Sequence, residues 1–144
     1  MSLAEQRARD AFCMIDIEKV RSLLRLARVD HDAMRATTDL PLVADSIFGF
    51  HAPQAVEKTL KAWLQALDVA YPATHDLARL LQILRDSGAD IRGFEYFAEF
   101  TIFAVQARYE EGIVTPADPL DRPAIVTEVG VLLKHVEQQL ATSP

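Results

Sequence analysis

His51, Gln54, Lys58, Lys61, Gln65 and Asp68 follow one another at steps of three, four, three, four and three residues. That repeat places them on one face of an α-helix. Lys58 and Lys61 are cationic, His51 becomes so on protonation, and Gln54 adds an amide that both donates and accepts. Such a face suits a phosphate or another anionic group, the more so in a chain of net charge −6 whose remaining surface repels anions. Arg108, on a later helix, is placed to join it. The same row also fits an ordinary solvated face on which Glu57 and Lys61 form an i, i+4 pair worth about 0.3 kcal/mol.

Other chemistry has a thinner basis. The five glycines are scattered and none opens a phosphate-cradling loop. Cys13 stands alone, so the chain builds neither an internal disulfide nor a cysteine zinc site, and a small buried apolar role suits it best. His31-Asp32 and His75-Asp76 are His-Asp pairs. All-helical metal phosphohydrolases of the HD type combine a His, a later His-Asp and a distant Asp, and His51, His75-Asp76 and Asp121 can be drawn into that pattern. The plainer reading puts Asp76 at a helix start, where it meets the free amides, and makes Asp121 a helix cap. Arg25 and His31 have five residues between them, the spacing of an Arg-to-His motif found in some helical ribonucleases. His31 nevertheless falls on an apolar seam, and the match reads as accidental. No grouping of ligands has metal-site spacing, and no cofactor is expected.

The elements that would position these residues are all helical. Ile17, Val20, Leu24, Ala27, His31 and Met34 form a seam, which predicts a helix over Asp16–Arg35. Two adjacent apolar rows, one with Phe48, Ala52 and Ala55 and the other with Val56, Leu60 and Leu67, predict a deeply buried helix over Leu42–Val69. Pro53 should kink that helix or lie in its first turn. A short helix over Thr74–Ser87 is predicted, with Thr74 as N-cap, and an aromatic-rich helix over Asp90–Arg108. A loop over 110–120 then leads to a last helix over Asp121–Leu140, capped by Asp121 with Pro123 in its first turn. Trp63, Phe97 and Leu133 are expected in the core. The fold class is all-α: an up-and-down antiparallel bundle of about five helices in one domain spanning 1–144, with 1–14 as an N-terminal extension.

Composition agrees with this. Half of the 144 residues are apolar and a quarter are charged, which supports a packed core. No apolar run is long enough to cross a membrane, and the N-terminal stretch, with Glu5, Arg7, Arg9 and Asp10, lacks the apolar region of a secretory signal. Cytoplasmic location is the expectation. The acidic balance argues against non-specific nucleic-acid binding.

The run Phe50-His51-Ala52-Pro53-Gln54-Ala55-Val56-Glu57-Lys58-Thr59-Leu60-Lys61-Ala62 resembles the signature that opens the second helix of HEPN domains. Thr74-His75-Asp76-Leu77 is similar to the family's segment before its third helix, and Arg108-Tyr109 to the Arg-Tyr at the end of its fourth. The resemblance marks Phe50, Glu57, His75, Asp76 and Tyr109 as signature positions beside His51, Gln54, Lys58, Lys61 and Arg108. It implies a helical bundle that dimerises, in small prokaryotic proteins often encoded beside a minimal nucleotidyltransferase, in several cases as a toxin–antitoxin pair. Many such proteins are metal-independent ribonucleases with an Arg-to-His motif near the fourth helix. Here the first His after Arg108 is His135, and Glu110-Glu111 follow Tyr109, where they would repel an RNA phosphate. The expectation is therefore a non-catalytic or weakly catalytic protein with no assigned catalytic residue. It would bind a nucleotide, RNA or a partner, and work as a homodimer with a nucleotidyltransferase. The alternatives are an RNA-cleaving toxin and the HD-type phosphohydrolase.

Overall fold

The computed structural model describes residues 2–4, 15–100 and 120–142, with the backbone alone for Ser46. Among them are four α-helices and one 3-10 helix, with no strand: α1 (Ile17–Thr37), α2 (Asp45–Ala66), α3 (Leu77–Asp86), the 3-10 segment Glu95–Glu99, and α4 (Arg122–Thr142). The bundle α1–α2–α4 is the frame. α1 and α2 pack along each other, α4 lies against both, and α3 lies against α2 and the 3-10 segment.

The seam of α1 buries Val20, Leu24, Ala27, His31 and Met34 as expected, while Ile17 at its start is largely exposed. Asp16 caps the helix by accepting from the Lys19 amide at 3.1 Å. α2 carries the bundle's centre. Phe48, Ala52, Ala55, Val56, Leu60, Ala62, Trp63 and Leu64 are all buried, and Phe97 and Leu133 meet them in the same core. Pro53 sits well inside α2, which continues through it with the loss of the one backbone bond that proline cannot donate.

Helix ends differ from expectation for local reasons. α2 stops at Ala66, short of Val69. Asp68 takes a left-handed conformation (φ 55°), its amide bonds Gln65 O at 3.1 Å, and the Val69 amide bonds Leu64 O at 3.0 Å. This is a Schellman closure, here with Asp where glycine is usual. α3 ends the same way at Gly88 (φ 89°), with Gly88 N on Arg85 O and Ala89 N on Leu84 O. α3 begins at Leu77, and its cap is Asp76, which accepts from the Arg79 amide; Thr74 instead accepts from the Asp76 amide.

The stretch expected to be helical from Asp90 starts as a turn. The Asp90 carboxylate takes the Arg92 amide at 3.1 Å, and Gly93 adopts φ 89°, so the chain enters the 3-10 segment only at Glu95. Local side-chain bonding of this kind competes with helix propagation. The Asp90 carboxyl is lowered to about 2, chiefly by hydrogen bonds from the Arg92 side chain. Of the expected helix, 101–108 lies outside the described residues, as do Cys13 and most of the 110–120 loop.

Arg122 ties the connection between α1 and α2 to the start of α4. Its guanidinium bonds Asp45 through Nε at 2.9 Å and the carbonyls of Thr37 and Val43 at 2.9 and 2.5 Å, and it lies over the Phe48 ring. Asp121 caps α4, accepting from the Ala124 amide at 3.2 Å. No helix among the described residues is long and apolar enough to cross a membrane.

Candidate functional site

α1 and α2 run antiparallel, so the middle of α1 faces the first half of α2. Asp30 is buried there and accepts from two residues of the α2 row: His51 Nδ1 at 3.0 Å and Lys58 Nζ at 2.5 Å. His51 and Lys58 stand seven residues apart, two helical turns, and both reach to the carboxylate between them.

A second carboxylate repeats the arrangement one face further round. Glu57 is buried on α2 and accepts from His75 Nδ1 at 2.7 Å and from Lys61 Nζ at 3.3 Å. His75 comes from the segment between α2 and α3, positioned by the turn at Thr74 and the cap at Asp76. Its side chain is 86% exposed although its Nδ1 is held, whereas the Glu57 side chain is 9% exposed. The result is one polar strip: His51–Asp30–Lys58, then Lys61–Glu57–His75. Gln54 is half-buried on the same face.

A carboxylate only accepts, so each imidazole carries its proton on Nδ1, and Nε2 of the neutral ring is an acceptor. Each ammonium gives one of its three donors to a carboxylate. The strip is preorganised by buried carboxylates, and its two lysine charges are compensated within it. The local positive charge read from the sequence is thus reduced by Asp30, which the row alone does not contain.

Of the other two histidines, His31 is buried in the bundle and His135 is half-buried. His31 Nε2 donates to Val126 O of α4 at 2.9 Å, its Nδ1 is buried with no hydrogen-bond partner among the described residues, and Arg25 points to solvent. The Arg25–His31 spacing therefore brings no paired groups together. His135 packs against the rings of Trp63 and Phe94, with centroids at 5.0 and 5.1 Å. Asp76 and Asp121 are occupied as caps, and among the described residues no group of three or more His, Cys, Asp or Glu side chains gathers as a metal site would. A cavity of about 340 Å³ opens beside the C-terminal end of α2, lined by Lys19, Gln65, Asp68, Val69, Ala70 and Tyr71. It takes in Gln65 and Asp68 at the far end of the α2 row, and none of His51, Gln54, Lys58 or Lys61. Arg108 and Tyr109 lie outside the described residues.

Comparison with protein-family models matches residues 19–138 to the HEPN domain. The chain belongs to the HEPN family. No curated protein and no solved structure matches it. The match runs from the first turns of α1 to near the end of α4, and so takes in every residue of the strip. In this HEPN chain the signature residues His51 and Lys58 are both held by Asp30, and Glu57 holds His75, with Phe50 packed edge-on to the His51 ring at 5.7 Å.

Asp30 is the participant that sequence reasoning missed. Its signal was present: it lies three residues after Ala27 and four before Met34, so it fits the buried stripe of α1 as well as His31 does. An acid on a buried stripe calls for a cationic partner on the facing helix. The α2 row supplies Lys58 as that partner and His51 as a second donor.

Proposed function

We propose that this HEPN protein is a non-catalytic or weakly catalytic binding member that works as a homodimer with a nucleotidyltransferase partner, in a cytoplasmic toxin–antitoxin pair. Its phosphate-bearing ligand or partner meets the face made by His51, Gln54, Lys58 and Lys61, and Arg108 is a further candidate contact. The observation that carries the binding reading is the pair of buried carboxylates, Asp30 and Glu57, each fixing one lysine and one imidazole on a half-open face. Groups held this way lose little freedom when a ligand arrives. HEPN domains are commonly dimeric, which supports the oligomeric part. Against strong catalysis stands the placement of the histidines. His135, the first after Arg108, packs in an aromatic cluster, and His31 is bonded to α4.

The test is to change Lys58 and Lys61 together to Ala and titrate labelled ATP and a short RNA. The parent should bind at least one of them and the variant should bind less, with the RNA remaining intact and binding weakening as salt is added. Unchanged affinity in a folded variant, or no binding by the parent, defeats the ligand-binding reading. Efficient cleavage of the RNA would favour the toxin alternative. Co-purification with the product of a neighbouring nucleotidyltransferase gene tests the partner.

A further inference from the structure

We infer that this face takes up the phosphate of a nucleotide together with protons, because His51 and His75 become donors to an anion only when they are protonated. The inference rests on the nucleotide-binding reading above and adds its regulation. With both imidazoles neutral, the charges of Lys58 and Lys61 are cancelled by those of Asp30 and Glu57, and the strip has no net attraction for an anion. The carboxylates hold the two Nδ1 protons, at 3.0 Å from Asp30 and 2.7 Å from Glu57. Each neutral ring therefore offers a lone pair at Nε2, which repels a phosphate oxygen.

One added proton per ring reverses both effects. It puts a positive charge on a face whose lysine charges are already balanced, and it turns Nε2 from acceptor to donor. The carboxylate on Nδ1 remains a favourable partner for the imidazolium that forms. Each ammonium gives one of its three donors to a carboxylate, so contact with a phosphate does not require either ion pair to break. The charged groups facing His51 are Asp30 from α1 and Lys58 from α2 itself. Those facing His75 are Glu57 and Lys61 from α2, with Asp76 its neighbour in the chain. By linkage, a site that binds an anion better when protonated must take up protons as the anion binds.

The experiment uses the full chain and labelled hexauridylate, whose phosphodiester charges do not titrate between pH 5.5 and 8. Labelled ATP is run alongside it, at fixed ionic strength. Histidine is the side chain whose charge ordinarily changes in that range. We expect hexauridylate affinity to be about tenfold higher at pH 5.5 than at pH 8. The His51→Gln/His75→Gln variant, with fold checked by circular dichroism, should bind with an affinity that hardly varies with pH. It also controls for the general loss of negative charge at low pH. Calorimetry of the parent in buffers of different ionisation heat should record net proton uptake on binding, which decides the matter even if the double variant fails to fold. Binding without proton uptake, or an equally steep pH dependence in the variant, overturns the inference while leaving the nucleotide reading in place. Absence of binding by both ligands at every pH overturns the nucleotide reading itself, and the inference with it.

Discussion

Asp30 on α1 accepts a 2.5 Å hydrogen bond from Lys58 on α2, across 28 positions of sequence, and the same carboxylate holds His51 at 3.0 Å. The Asp30 side chain is 11% exposed and that of Lys58 is 26% exposed, so the pair sits at the edge of the core and keeps part of its access to water. Its strength lies between that of a surface ion pair and that of a fully buried one. Asp30→Asn should cost about 1–3 kcal/mol in urea unfolding, because Lys58 loses its ionic partner and the amide keeps one acceptor oxygen where the carboxylate had two. Combining it with Lys58→Met should cost less than the sum of the two single changes. Strict additivity in that cycle would mean that the contact does not couple the helices.

Gly130 on α4 sits under the His31 ring. A Cβ there would lie 3.2 Å from His31 Nε2 and 3.3 Å from Cε1. The ring has little room to yield, since it is buried and its Nε2 bonds Val126 O. Ala in place of a helical glycine ordinarily stabilises by about 1 kcal/mol. Here Gly130→Ala should destabilise by about 1 kcal/mol or more, through crowding of a packed site. In the His31→Ala background the same change should turn stabilising. A gain from Gly130→Ala in the parent would show that the two helices part easily at this point.

Arg122 is the strap between the end of α1, the start of α2 and the start of α4. Its side chain is 13% exposed and reaches Asp45 as well as the carbonyls of Thr37, Leu40 and Val43. Lys cannot reproduce that fork. Arg122→Lys should cost about 1–3 kcal/mol by chemical denaturation, as buried acceptors lose their donors. Faster amide exchange should follow in the connection from Thr38 to Ala44. A stability within 0.5 kcal/mol of the parent, roughly the scatter of neutral surface changes, would show that the strap is redundant.

Tyr96 gives a prediction at high pH. Its phenol is raised above its ordinary value, first by burial and then by its hydrogen bond to the Glu128 carboxylate and that group's charge. The fold therefore favours the neutral phenol. The contribution to stability is complete below about pH 10, the ordinary phenol value, and is lost as pH rises beyond it. Tyr71, also raised by burial, acts in the same direction. In denaturant titrations at pH 9 and pH 11, Tyr96→Phe should lose less stability between the two than the parent. Equal losses would show that Tyr96 ionises as freely in the folded chain as in the unfolded one.

Much of this structure was readable from spacing. The α1 seam from Val20 to Met34, the burial of Trp63, Phe97 and Leu133, and the Asp121 cap follow from periodicity and capping chemistry that act within a few residues. The Glu57–Lys61 pair was equally local. Misreadings arose where a side chain competed with the helix, as Asp90 does, or where a residue other than glycine took the left-handed closing position, as Asp68 does. The site was half legible. The α2 face carries its own pattern, but the Asp30 and His75 contacts depend on how α1 and the segment before α3 lie against α2. That register is a property of the packed bundle, and no single helix encodes it.

If a nucleotide meets the strip built on Asp30 and Glu57, an ATP titration of isotopically labelled protein, followed by amide chemical shifts, will register it there. Progressive, saturable shifts are expected at His51, Gln54, Lys58, Lys61 and His75, with Asp30 responding from α1 and the residues around the Lys19–Tyr71 cavity unmoved. Saturable shifts centred on Lys19, Gln65 and Tyr71, with the strip unperturbed, would contradict it.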